Sequence, residues 1–159
     1  MYKIKILIMM AGLFFGLTGC NGQSNKREYE DNKFKPRQIW NYNTRVGEEN
    51  STIEILKVEK YDSAGIVVHI YVSGVKVKNP YKSTGFSDEI GHLPFSKYAV
   101  LNSVTTLVSE NNKLPDFKEG YTNWKEAFDS NKGGIFSIAI QDAVKYVEEA
   151  MNNGKPVKE

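Results

Sequence analysis

Cysteine is almost missing from this chain, which has one, Cys20, beside only two histidines, His69 and His92. A single thiol excludes an internal disulfide, so a folded domain must draw its stability from an apolar core. It also excludes the cysteine-rich zinc patterns, and two imidazoles alone fall short of the three or four ligands of a tetrahedral site. No Gly-x-Ser-x-Gly elbow occurs, and Gly133-Gly134 lacks the lysine and following hydroxyl of a phosphate-binding loop. No apolar run reaches the roughly twenty residues that a spanning helix requires. Charge of one sign is not in excess either. Beyond the first nineteen residues, which carry Lys3 and Lys5, 19 basic residues face 19 acidic ones. A clustered positive surface for a phosphate backbone is therefore not expected, and no nucleic-acid partner with it.

What is present begins at the N-terminus. Lys3 and Lys5 precede Ile6-Leu7-Ile8-Met9-Met10-Ala11-Gly12-Leu13-Phe14-Phe15, and small residues follow. A basic start, an apolar core of about ten residues and a small-residue end are the layout of a secretory signal. Polar Thr18, Asn21, Gln23 and Ser24 arrive too early for a membrane span. The end of this segment, Leu17-Thr18-Gly19-Cys20, resembles the lipobox of bacterial lipoproteins. That resemblance implies removal of residues 1–19, lipidation of Cys20, and a lipid bilayer as the first partner. A thiol suits thioether formation, and two or more acyl chains give stable anchoring where one is marginal. An ordinary secretory signal with an incidental cysteine is the plainer alternative. Asn21, standing where an aspartate would signal inner-membrane retention in many diderm lipoproteins, favours the outer membrane if the source is diderm.

Residues 20–37 read as the lipidated cysteine and a flexible linker, because Asn21 to Pro36 is polar and charged without a hydrophobic period. Residues 38–154 read as one domain and 155–159 as a tail. Trp40, Tyr42 and Thr44 alternate with polar residues as in a half-buried strand. In Ser51 to Lys60 the apolar parity changes at Ile55-Leu56, which predicts a bulge there. Ile66 to Lys78 is the strongest strand pattern, with a second parity change at Gly74. Together these predict a three-stranded antiparallel meander. Tyr81 to Pro94 has no period and reads as a long loop. Ser96 is expected to cap a helix running to Asn111-Asn112 on Val100, Leu101, Val104, Leu107 and Val108. Asp116 and Glu119 have capping-box spacing for a second helix through about Asn131, which Gly133-Gly134 stops. Ile135 to Ala139 suggests a short strand, and Ile140, Ala143, Val144, Val147 and Met151 one face of a last helix. Strands first and helices after predict an α+β fold of three long strands and one short late strand, with about three helices on one face. The later segments resemble those of small uncharacterised bacterial proteins, which implies no activity.

Candidate chemistry is sparse. His92 follows Ser87-Asp88-Glu89-Ile90-Gly91, so an imidazole near carboxylates could serve as acid, base or ligand. The plainer reading of the same residues is a solvated loop with a turn histidine. His69, between Val67 and Tyr71 on one strand face, reads as a satisfied core or edge histidine. Phe117, Tyr121, Trp124 and Phe128 fall at helical spacing, either as a core face or as a binding stripe. Tyr81 and Phe86, in the long loop, are the aromatics best placed to contact a partner. Two function classes remain. One is a non-catalytic tethered protein of inhibitor or immunity type, binding a protein through the loop, with no catalytic set, cofactor or metal. The other is a small envelope hydrolase or metal-dependent enzyme centred on His92 with Asp88 or Glu89.

Overall fold

A computed structural model describes residues 26–153; the leader, Cys20 and the tail lie outside the described residues. The strands are β1 (Lys26–Glu28), β2 (Gln38–Tyr42), β3 (Thr52–Tyr61), β4 (Gly65–Lys78), β5 (Phe86–Ser96) and β6 (Val104–Glu110). The helices are α1 (Lys97–Ser103), α2 (Lys118–Asp129) and α3 (Ile140–Asn153). All strand pairs are antiparallel, in the order β5-β4-β3-β2-β6, with β1 paired to β3. The α+β class is as expected; the sheet is larger than the expected meander.

Both parity changes fall where the ladder slips. Ile55 faces Ile70 and Lys57 faces His69, so Leu56 is the extra residue, and Ile53, Ile55 and Val58 keep one face. Gly74 has φ +73, and the β4–β5 register shifts between Ser73 and Val77. A Cβ at Gly74 would also lie 3.1 Å from the Ser51 backbone, so glycine is required on both counts.

Tyr81 to Pro94, expected as one loop, is not one. Only 79–85 form the turn, and β5 starts at Phe86. Ser87, Ile90, Leu93 and Phe95 are buried along it, but the bulges of its register with β4 and the interruptions at Gly91 and Pro94 break the period that sequence can show. The helix expected from Ser96 to Asn111 is also corrected. Ser96 does cap α1, its Oγ accepting from Ala99 N at 3.2 Å, but the helix ends at Ser103 and β6 follows. Val104, Thr105, Thr106 and Val108 are β-branched, and the open side of β2 offers them a ladder, Trp40 facing Leu107 and Tyr42 facing Val104. Leu107 and Val108 consequently stand exposed instead of lining a helix face. The strand expected at Ile135 to Ala139 reduces to one parallel bridge, Phe95 to Phe136.

The folded part begins ahead of Gln38, within the segment expected to be linker. Phe34 is fully buried with its ring 5.7 Å from that of Trp40, and Asp31 binds Lys97 and the Lys33 and Phe34 amides.

Helices cover both faces of the sheet, where one face was expected. Val68, Ile70 and Val72 of β4 share a core with Ile53, Ile55, Leu93, Phe95, Val100 of α1, and Ile140, Ala143 and Val144 of α3. Arg45 ties α3 to the turn before β3, its guanidinium bonding both Glu48 and Glu148. The opposite face holds Val67 and His69, both at 0% exposure, with Tyr61 at 1%. Such a face needs cover as well, and the aromatic stripe of α2 provides it.

Candidate functional site

Under α2 lies a chain of polar side chains that sequence reasoning did not assemble. The bulge at Leu56 sets Lys57, Glu59 and Tyr61 on the same face as His69, which faces Lys57 across the ladder. Glu59 Oε2 accepts from Tyr61 Oη at 2.6 Å, and Tyr121 of α2 donates to both carboxylate oxygens at 3.0 and 3.1 Å. Lys57 Nζ is 2.8 Å from Glu59 Oε1. His69 Nε2 is 3.4 Å from Glu59 Oε2, and its Nδ1 is 2.9 Å from His92 Nε2. Glu59, His69 and His92 thus form a line from β3 through β4 to β5. A proton on His69 Nε2 toward the carboxylate leaves Nδ1 to accept from His92. The two rings stack 5.1 Å apart, and Tyr121 and Trp124 close over them. Gly120 permits this approach, because a Cβ there would meet the His92 Cβ at 2.9 Å.

His92 is the outer, half-buried end of the line. Burial foremost, then repulsion from His69, pushes its pKa down to about 4, against an opposing pull from Glu59. At neutral pH it is therefore an uncharged base, with His69, Glu59 and Lys57 behind it and Tyr121 above. The expected pH dependence follows from linkage. Above the ordinary value of 6.5, folded and unfolded chains both hold His92 neutral. Between 6.5 and about 4 the unfolded chain takes up a proton that the folded one refuses, so stability falls with pH and the loss is complete below about 4. Allowing for partial exposure, this loss is about 2 kcal/mol. Urea midpoints at about pH 7 and about pH 4 should separate more for the parent than for His92→Gln; parallel profiles would contradict this assignment.

The structure does not gather His92, Asp88 and Glu89 into one group. Asp88 is exposed, 3.9 Å from Lys82. Glu89 accepts from Tyr71, whose pKa burial raises to about 12, helped by the Glu89 bond and by the charges of Glu89, Asp88 and Glu54. His92 turns to His69 instead. Among the described residues no three His, Cys, Asp or Glu side chains are arranged to hold a metal ion. His69 is a buried core histidine, and the signal that could have joined it to Glu59 was the predicted bulge, which sets the register.

Tyr81 and Phe86 flank the tight end of the β4–β5 hairpin. The turn is closed by Asn79 N to Gly85 O at 2.8 Å and Gly85 N to Lys82 O at 2.9 Å, and Asn79 Nδ2 bonds Ser87 Oγ at 2.8 Å. Tyr81 is 63% exposed and Phe86 40%, with Lys76 Nζ 5.1 Å above the Phe86 ring. A cleft of about 440 Å³ lies beside them, lined in part by Lys76, Lys82, Phe86 and Asp88. Comparison with family models, with curated proteins and with solved structures finds no match to this chain.

Proposed function

We propose that this is a lipid-anchored binding protein of the cell envelope, of inhibitor or immunity type, whose β4–β5 hairpin engages a protein partner. The observation that carries this reading is the pair Tyr81 and Phe86, held exposed on a turn fixed by its own hydrogen bonds. Exposed aromatics on a preorganised support are the usual anchors of protein interfaces, because little conformational freedom is lost on contact. The lipobox-like Leu17-Thr18-Gly19-Cys20 supports the anchor. Cys20→Ser should move the protein from the membrane to the soluble fraction or stall it uncleaved; unchanged detergent-phase partitioning would remove the anchor from the reading. Tyr81→Ala and Phe86→Ala should each weaken the complex by about 1 kcal/mol or more while the urea midpoint stays near that of the parent. Equal affinities would place the interface elsewhere.

A second reading rests on the line Glu59–His69–His92. Glu59 stands 3.4 Å from His69, which hydrogen-bonds the neutral His92, and a carboxylate behind paired imidazoles is the kind of setting a general base uses. In this reading His92 is the outer acid or base of a small envelope hydrolase. Loss of a measurable turnover in His92→Ala, with Tyr81→Ala and Phe86→Ala unaffected, would favour it over the binding reading.

A further inference from the structure

A groove of about 720 Å³ opens between residues 29–37 and β3, away from the hairpin tip on which the binding reading rests. That volume falls within the range of small-molecule sites, about 300 to 1,000 Å³. Its accessible apolar lining is Tyr29 and Pro36, with the buried Phe34 and Val58 behind it. Of the charged residues along it, Asp31 is already bound by Lys97 and two backbone amides, and Glu59 by Lys57. Lys35 and Arg37 are exposed, and neither forms an ion pair among the described residues; Glu30 is the open carboxylate at the rim.

Arg37 adds an independent observation. Its φ of +79 puts a long side chain in the left-handed region, which glycine or asparagine adopts at lower cost. The conformation is imposed from two sides: Arg37 N donates to Ile55 O at 2.7 Å, and Arg37 O accepts from Asn111 N at 2.9 Å. Strained positions of this kind concentrate where a side chain must be presented to a ligand. We propose that this groove binds a small organic anion, a carboxylate or phosphate monoester on an apolar body, with Arg37 and Lys35 holding the charged head and Tyr29 and Pro36 the body. A guanidinium offers paired donors that match either head group.

The test is an NMR titration of the full chain with phenyl phosphate, benzoate, benzylammonium and inorganic phosphate. Saturable shifts at the amides of residues 35, 37, 57 and 58 are expected with phenyl phosphate or benzoate, at dissociation constants below about 1 mM. The stronger of the two identifies the head group. Arg37→Gly should weaken that binding about tenfold or more while leaving the melting temperature equal or higher, since glycine relieves the strained backbone. Lys35→Gln, which leaves the backbone untouched, should weaken it as well. Absence of saturable shifts with both anions, equal response to benzylammonium or inorganic phosphate, or parent-like binding by both variants would overturn the proposal.

Discussion

Glu59→Ala is expected to lower stability by about 3 to 5 kcal/mol, because removing one member of a buried ionic network strands the others. The carboxylate is 1% exposed and receives Lys57, Tyr61 and Tyr121, with His69 Nε2 3.4 Å away. Alanine leaves the Tyr61 hydroxyl buried with its acceptor gone, and Lys57 without its counter-charge. Glu59→Gln keeps one acceptor oxygen and should cost less. Urea unfolding followed by tryptophan fluorescence measures both variants, and a loss below about 1 kcal/mol for Glu59→Ala would mean that the network does not stabilise the fold. Against a typical margin of roughly 5 to 15 kcal/mol, the expected loss is a large share.

Trp124→Ala comes second, at about 3 kcal/mol, the lower end for a large aromatic because the side chain is half-buried. Its ring lies 4.7 Å from His69, 4.9 Å from Phe128 and 6.1 Å from Tyr61, and its Nε1 donates to Gly134 O at 2.8 Å. None of the residues of α2 is fully buried, so this helix rests on the sheet through a few aromatic contacts. Hydrogen exchange should show α2 amides losing protection in Trp124→Ala before those of β3 and β4. An unchanged denaturation midpoint would return the aromatic stripe to the surface and with it the alternative of a binding face.

The strands at the centre of the sheet were legible because parity is a local property. Ile53 to Val58 and Ile66 to Val77 announced both their faces and their irregularities, since one slipped residue shows as a change from odd to even. The outer strands were not legible. The burial pattern of β5 is interrupted by bulges and contains Gly91 and Pro94, while β6 carries apolar residues at spacings that fit a helix face equally well. For β6 the deciding interaction is non-local, the open hydrogen-bonding side of β2, and no window of sequence contains it. The second layer follows the same logic. Phe117, Tyr121, Trp124 and Phe128 were readable as a face, but which side of the sheet it covers depends on where Val67 and His69 need shielding. His92 was visible as a candidate from its neighbours in sequence, whereas its partner His69 lies across a ladder and Glu59 one strand further. Asp88 and Glu89 were near His92 only in sequence: Asp88 stands exposed beside Lys82, and Glu89, opposite Ser73 in the ladder, is taken by Tyr71, while His92 turns to His69.

The binding reading is tested most directly by photo-crosslinking in intact cells, with a benzophenone amino acid at position 81, 86 or 98. Tyr98 is the control, an aromatic of α1 that is 73% exposed and distant in sequence from the hairpin. The account predicts a discrete adduct from positions 81 and 86, recovered with membranes and reduced several-fold when the other hairpin aromatic is changed to alanine, and none of the same size from position 98. An identical pattern from all three positions, or no adduct at 81 and 86, would contradict it.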